Sequence, residues 1–130
     1  MFANSLFYWN ELMATDVEKA KAFYARTLGW TYETMDMDEG PYTLIKMGED
    51  MVGGIMSLPA EDAQQGMSSY WFSYVSVDNL DRRVAGIQAA GGQILRPPFD
   101  VPGVGRIAIV EDASGAAIGW ITPSDPGEMS

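Results

Sequence analysis

The feature that most constrains the fold is an internal repeat, in which one strand–helix–strand–strand–strand pattern occurs over about residues 6–58 and again over about 70–122. In the first copy, Asp16 is a favourable helix N-cap and Gly29 favours the end of that helix. Runs rich in β-branched, aromatic and methionine residues follow, separated by turn-forming residues, at 30–35, 42–47 and 51–58. The first copy therefore predicts a βαβββ module.

The second copy repeats this order with few identical residues. Asn79 can cap a helix whose apolar residues Leu80, Val84 and Ile87 share one face, and the glycines at 91–92 are expected to end it. We expect strands at 70–77, 93–96, 106–110 and 117–122, with a Pro/Gly-rich crossover at 97–105. At an offset of about 63 residues, the pattern aligns Trp9 with Phe72, Glu11 with Tyr74, Leu44 with Ile107 and Ile55 with Ile118.

The repeat predicts an α+β protein made of two tandem βαβββ modules. We interpret residues 1–130 as a single domain, because 130 residues is close to the commonest domain size. Within it, residues 59–69 are polar and fit a linker between the modules, and residues 123–130 fit a frayed tail.

Composition excludes several kinds of chemistry. The chain has no cysteine and no histidine, which removes disulfides, thiolate metal sites, Ser-His and Cys-His dyads and the commonest metal ligand. The formal net charge of −10 makes nucleic acid an unsuitable partner, since a phosphate backbone needs a basic patch. No apolar run is long enough to cross a bilayer and no secretory signal precedes the first strand, so we expect a cytoplasmic protein with no membrane partner.

Particular motifs then indicate a family. The first module contains Trp9-Asn10-Glu11-Leu12-Met13, Phe23-Tyr24 and Leu28-Gly29-Trp30, and the second contains Tyr74-Val75-Ser76-Val77-Asp78, Gly91-Gly92 and Asp112-Ala113-Ser114-Gly115-Ala116. Over about residues 6–122 the chain resembles the vicinal oxygen chelate superfamily, the group of glyoxalase I, bleomycin-resistance proteins and extradiol dioxygenases. The resemblance implies that the two modules form a half-open, cup-shaped sheet with helices outside, and that the protein is a homodimer.

The resemblance also implies where a metal would be held, in the first and last strands of each module. Those positions are Trp9 and Met56 in module one, and Phe72 and Gly119 in module two, with Trp71 replacing Phe72 if Asp78 is the helix cap. Divalent metals in such a site need nitrogen or carboxylate donors. We therefore expect no metal and no other cofactor.

The resemblance also implies what lines the cup instead. If the strand faces follow the family, Trp9, Glu11, Phe72 and Tyr74 point into the cup, and this is consistent with alternation because Leu12 and Val75 then face the helices. We expect the ligand-binding residues to be Trp9, Glu11, Met56, Phe72, Tyr74 and Arg106.

Two of these residues carry further hypotheses. Glu11 is the candidate catalytic residue, as a general base, if the protein is an enzyme. Arg106 follows a glycine-rich loop, and we expect its guanidinium to form an ion pair with Glu11 at the cup floor.

The sequence thus favours a metal-free, glyoxalase- or bleomycin-resistance-like protein that binds a small aromatic or cationic molecule in an aromatic-lined cup. One alternative is a metal-dependent lyase, isomerase or dioxygenase with non-standard ligands. A second is a structural or regulatory dimer module whose cup is filled by its own side chains. A third is an accessory subunit of a larger assembly.

Overall fold

A computed structural model describes residues 4–37 and 40–124, and within them the order βαβββ occurs twice. The chain divides into a first unit, Trp9–Phe72, and a second unit, whose described residues are 4–8 and 73–124. The predicted α+β class with two βαβββ modules is confirmed. The elements are β1 (Phe7–Ala14), α1 (Val17–Leu28), β2 (Thr31–Met37), β3 (Gly40–Met47), β4 (Asp50–Ser57), α2 (Ala60–Gln64), β5 (Tyr70–Ser76), α3 (Leu80–Val84), β6 (Gln93–Val101), β7 (Gly105–Glu111) and β8 (Ala117–Pro123).

In the first unit the strands lie in the order β2-β3-β4-β1, with β1 parallel to β4 and the other pairs antiparallel. Helix α1 begins as expected, because the Asp16 side chain accepts a hydrogen bond from the Lys19 backbone N–H at 3.0 Å. It ends at Gly29, whose φ of 76° is the left-handed conformation that glycine adopts most readily. The core between α1 and one face of the sheet contains Leu12, Ala14, Ile45 and Ile55, with Val17, Ala20 and Tyr24 packed against them.

In the second unit the order is β5-β8-β7-β6, with β5 parallel to β8. The Asn79 side chain caps α3 by accepting from the Arg82 backbone N–H, so Asn79 and not Asp78 is the cap. Two expectations about lengths are wrong. Helix α3 gives way to turns after Val84, and β6 continues through the two prolines at 97–98 to Val101, with an irregular register that accommodates them. The core beneath α3 contains Val77, Leu80, Val84, Ile87, Ala108 and Val110.

The registers revise the alignment of the two modules. Glu11 pairs with Gly54, and its counterpart Tyr74 pairs with Gly119. The last strands therefore correspond at an offset of 65 residues, so Gly119 is equivalent to Gly54 and not to Met56. The additional residues in the second module lie in the β6–β7 hairpin. The register of that hairpin shifts between Arg96 and Phe99, whereas β2 and β3 pair without a break.

The remaining segments differ only locally from expectation. The predicted linker at 59–69 contains the short helix α2, and Pro123 belongs to β8. The rest of the predicted tail, residues 125–130, lies outside the described residues. None of the helices within the described ranges is long and apolar enough to span a bilayer.

Candidate functional site

The candidate site lies on the face of the first unit's sheet that is opposite α1, which we call the Glu11 face. Because Leu12 and Ala14 pack with α1 residues, the alternating β1 residues Trp9 and Glu11 project from the other face. The same argument places Tyr42 of β3 there, since its neighbour Thr43 pairs with Ile55 of the helix-side core. The predicted facing of β1 is thereby confirmed.

Trp9, Tyr42 and Glu11 form a directional chain of hydrogen bonds, which we call the trio. The Trp9 indole Nε1–H donates to the Tyr42 hydroxyl oxygen at 3.0 Å, and that hydroxyl donates to Glu11 Oε2 at 2.7 Å. Glu11 is 7% exposed, whereas Trp9 and Tyr42 are partly buried. Charge-assisted hydrogen bonds of this kind are stronger than neutral ones, so the phenol holds the carboxylate in a defined position.

Gly54 makes room for the trio. It pairs with Glu11 across β1 and β4, and a Cβ atom built on it would overlap the Tyr42 hydroxyl and ring. The Tyr42 side chain therefore lies across the backbone of β4 at Gly54 on its way from β3 to Glu11. Any side chain at position 54 would force the phenol away from this path.

Tyr70 adds a partly exposed ring to the Glu11 face, and Phe72, which is 8% exposed, is buried beside it. Their rings meet edge to face, with centroids 6.4 Å apart. Burial raises the pKa of the Tyr70 phenol, and the negative charges of Asp62 and Glu11 raise it further. Trp71, which alternates with these residues, instead contacts aromatic residues on the helix side of the unit, Tyr24 and Trp30.

In the second unit a tyrosine also lies over a glycine, but the geometry is different. Tyr74 is 8% exposed, and a Cβ atom on its register partner Gly119 would overlap the Tyr74 ring itself. Next along β5, Ser76 is fully buried and its hydroxyl donates to the Leu6 carbonyl at 3.3 Å. Position 74 therefore holds a packed phenol where the first unit has Glu11.

Arg106 has partners that the sequence did not suggest. Its Nε and Nη2 atoms donate to the two carboxylate oxygens of Asp81 at 2.8 and 3.0 Å, and its Nη1 donates to Asp100 at 3.1 Å. The expectation of an ion pair with Glu11 is therefore wrong. The guanidinium holds the pKa of the Asp81 carboxyl below its ordinary value. Beside this network, Arg106 and Asp100 line an open depression of about 420 Å³.

The side chains at the four positions implied by the family resemblance do not fit a hard divalent cation. The Trp9 nitrogen is an N–H donor that is bonded to Tyr42, and the phenyl ring of Phe72 has no donor atom. Met56 offers only a soft thioether, and Gly119 has no side chain and no space for one beside Tyr74. Within residues 4–37 and 40–124, no three His, Cys, Asp or Glu side chains cluster closely enough to hold a metal ion.

Sequence reasoning missed Tyr42 and Tyr70. One signal could have found Tyr42: two consecutive glycines, Gly53 and Gly54, stand in the middle of a strand, which often marks a close approach by another group. Strand alternation already placed Trp9, Glu11 and Phe72 on the correct faces. Alternation along β1 could not predict Tyr42, because Tyr42 joins Trp9 to Glu11 from a different strand, β3.

Comparison with known proteins identifies relatives of the whole described fold. Residues 7–119 match the sequence model of the Glyoxalase/Bleomycin resistance protein/Dioxygenase superfamily. The chain is 37% identical over 117 residues to "Putative glyoxylase CFP32" of Mycobacterium tuberculosis, which covers 89% of this chain and 43% of that protein. It is 31% identical over 121 residues to the anthracycline biosynthesis protein DnrV of Streptomyces peucetius, covering 84% of this chain and 44% of that protein. The chain thus spans less than half the length of these relatives.

Solved structures share the fold at low sequence identity. A methylmalonyl-CoA epimerase from Mycobacterium tuberculosis superposes with a TM-score of 0.69 at 16% identity, covering 100% of this chain and 97% of that one. The hypothetical protein BH1468 from Bacillus halodurans C-125 superposes with a TM-score of 0.71 at 14% identity, covering 95% and 97%. At such identities the likeness shows a common fold and nothing about the ligand.

Proposed function

Because the chain belongs to the Glyoxalase/Bleomycin resistance protein/Dioxygenase superfamily, we propose that it binds a small organic molecule, aromatic or cationic, without a metal ion. The binding surface is the Glu11 face of the first unit, with Trp9 and Tyr42 as the contact residues and Glu11 beneath them. Membership confirms the resemblance seen in the sequence motifs.

The trio is the observation that carries this proposal. Two aromatic rings, Trp9 and Tyr42, remain partly exposed beside a carboxylate that is almost fully buried. Ligand sites commonly combine aromatic walls with one or a few fixed polar groups, and a flat or cationic molecule suits the faces of such rings. The partly exposed ring of Tyr70, which packs edge to face against the buried Phe72, lies on the same face.

The name of one relative supports an aromatic ligand. DnrV is an anthracycline biosynthesis protein, and anthracyclines contain a flat, fused aromatic ring system. The donor chemistry at Trp9, Met56, Phe72 and Gly119 supports the absence of a metal from the binding step.

Catalysis by the same residues is a second candidate function, favoured by the buried carboxylate of Glu11 and by the glyoxylase name of CFP32. In that case Glu11 is the general base of a lyase or isomerase reaction, and Tyr42 holds it in place. A homodimer is a further prediction from the family, to be measured by size-exclusion chromatography with light scattering.

Binding of planar aromatic probes tests the proposal. We would titrate the protein with 2-naphthol and with quinoline, and follow tryptophan fluorescence and calorimetric heats. We expect saturable binding that falls about tenfold in Trp9→Ala, because one aromatic contact is removed. Phe23→Ala is the matched control, since Phe23 is an exposed ring on α1 and should leave the affinity unchanged. If neither 2-naphthol nor quinoline shows saturable binding, the proposal is wrong.

A further inference from the structure

Methionine is distributed unevenly over the two faces of the first unit's sheet. Of the nine methionines in the chain, seven lie in the described ranges, residues 4–37 and 40–124. Five of these seven project from the Glu11 face by strand alternation and register, namely Met13, Met35, Met37, Met51 and Met56. Of the other two, Met47 lies on the helix side, with its Cε atom 3.8 Å from a Cβ built on Gly29, and Met67 lies in the loop before β5.

Cross-strand pairs show where these methionines lie. Met35 of β2 is the register partner of Tyr42 on β3, and Met13 of β1 is the register partner of Met56 on β4. Residues that are paired across neighbouring strands project from the same face of the sheet. Methionines therefore flank the trio across the sheet, at Met35, and along its strands, at Met13 and Met56.

Met51 lies at the opposite end of β4 from Met56. It pairs with Lys46, which alternates with the core residue Ile45 and so faces away from α1. Met35 is 43% exposed and Met51 is 50% exposed. The side chains of Met35 and Met51 are thus accessible to a molecule that lies on the Glu11 face.

The helix side of the same sheet is built from different residues. Its buried core contains Leu12, Ala14, Ile45 and Ile55. A β-branched residue such as isoleucine has restricted side-chain torsions. Methionine is unbranched, with three rotatable bonds and a polarizable sulfur, so it fits irregular shapes and contacts aromatic rings favourably. One face of the sheet therefore packs with stiffer side chains, and the other presents side chains that can change conformation.

We propose that these methionines make the Glu11 face adaptable, so that it binds fused aromatic molecules of different outline with similar affinity instead of selecting one ring shape. Methionine-rich surfaces can repack around different partners, which gives them broad specificity. The inference rests on the proposed function, because it presupposes that an aromatic molecule binds to this face. Met35 and Met51 are the specificity-determining residues: they contact the ring system and adjust to its outline.

Two isomers of one ring system test the proposal. Acridine and phenanthridine have the same atomic composition and three fused rings, which are arranged in a line in acridine and at an angle in phenanthridine. We would titrate the protein with each by calorimetry, at a pH at which both ring nitrogens are unprotonated. We expect both isomers to bind with affinities of the same order, because the methionine side chains adjust to either outline.

Substitution by isoleucine assigns this breadth to the methionines. In the double variant Met35→Ile with Met51→Ile, two flexible side chains are replaced by stiffer ones of similar size. We expect this variant to fold, because both positions are exposed and isoleucine is favourable in strands. The two affinities should separate by about tenfold, since a less adaptable apolar surface discriminates between shapes on that scale. Met47→Ile is the matched control: Met47 is also 50% exposed but lies on the helix side, so the ratio should not change.

Each outcome separates this inference from the function on which it rests. If the unmodified protein binds one isomer at least about tenfold more tightly than the other, the adaptability is wrong and the binding function stands. Equal affinities that persist in the folded double variant also overturn it, because the breadth then has another source. If neither isomer binds, and 2-naphthol and quinoline do not bind either, the proposed function itself is wrong. Should the double variant not fold, Met35→Ile alone, on the strand at the end of the sheet, tests the same point with a smaller expected separation.

Discussion

The Tyr42 hydroxyl donates to Glu11 Oε2 at 2.7 Å although 31 residues separate the two side chains in sequence. The contact depends on three strands, because Tyr42 is on β3, Glu11 is on β1, and the ring crosses β4 at Gly54. The carboxylate is thus held by a residue two strands away in the sheet.

Gly54→Ala should destabilise the protein and break the hydrogen bond between Tyr42 and Glu11. An added Cβ would overlap the Tyr42 ring, and relieving overlap in a packed site typically costs about 1–3 kcal/mol of the free energy of unfolding. Urea denaturation measures the loss. Gly86→Ala is the control, because the nearest atom to a Cβ there is 3.6 Å away, and the expected change is within about 0.5 kcal/mol.

A double-mutant cycle identifies the cause of that loss. In a Tyr42→Ala background the ring is gone, so adding Gly54→Ala should cost clearly less than it does in the unmodified protein. Equal costs in both backgrounds would show that Tyr42 is not what Gly54 accommodates.

Tyr70 should titrate above the ordinary tyrosine value, since burial and the negative charges of Asp62 and Glu11 raise its pKa. Glu11→Gln should lower the pKa of Tyr70, because it removes one of these charges, and Asp62→Asn should do the same. The pKa is measured by ultraviolet titration of tyrosinate, with Tyr70→Phe to assign the signal. A pKa of Tyr70 that does not fall in either variant would contradict the electrostatic explanation.

The same shift has a consequence for alkaline stability. The pKa of Tyr70 is higher in the folded than in the unfolded protein, so its contribution to stability is fully present below about pH 10 and is lost as the pH rises through the folded pKa. The unmodified protein should therefore lose free energy of unfolding relative to Tyr70→Phe as the pH rises above about 10.

Added transition metals should not stabilise the protein. The indole of Trp9, the thioether of Met56 and the phenyl ring of Phe72 give no set of hard donors. We expect elemental analysis to find zinc, manganese, nickel and iron well below one per chain, and thermal unfolding to be unchanged when these metals are added. A stoichiometric metal would contradict the metal-free binding proposal and favour a lyase, isomerase or dioxygenase.

The acid stability of the second unit should depend on Arg106. The hydrogen bond from its guanidinium lowers the pKa of the Asp81 carboxyl, so the stabilising contribution is present above the unfolded pKa and is lost as the pH falls through the folded pKa. Arg106→Gln should bring the pKa of Asp81 back up, measured by NMR titration. The stability difference between the two proteins should narrow as Asp81 is protonated, and a constant difference would rule out this carboxyl as its source.

Much of the fold could be predicted because local signals specified it. Asp16 and Asn79 cap their helices, and the alternation around Leu12 placed Trp9 and Glu11 on the face opposite α1. The prolines at 97–98 misled the prediction, because a residue pattern that usually breaks a strand is absorbed here by a shift of register.

The contacts within the site were harder to predict than the faces. Pairing Arg106 with Glu11 was reasonable from the scarcity of basic residues, but two aspartates from α3 and β6 bond to the guanidinium instead. Tyr42 was missed because its role depends on the register between β3 and β4, which hydrophobic periodicity does not specify.

The two glycines that face Glu11 and Tyr74 across their strand pairs limit how this protein can change. At Gly54 and at Gly119 the space next to the backbone is already filled by a phenol ring, from β3 in one unit and from β5 in the other. A carboxylate side chain at position 54 or 119 can be accommodated only if the tyrosine is replaced at the same time. Substitution of the glycine alone causes a steric overlap, and substitution of the tyrosine alone leaves a cavity. Stepwise substitution at these positions therefore has to pass through a less stable intermediate before a metal-binding site could form.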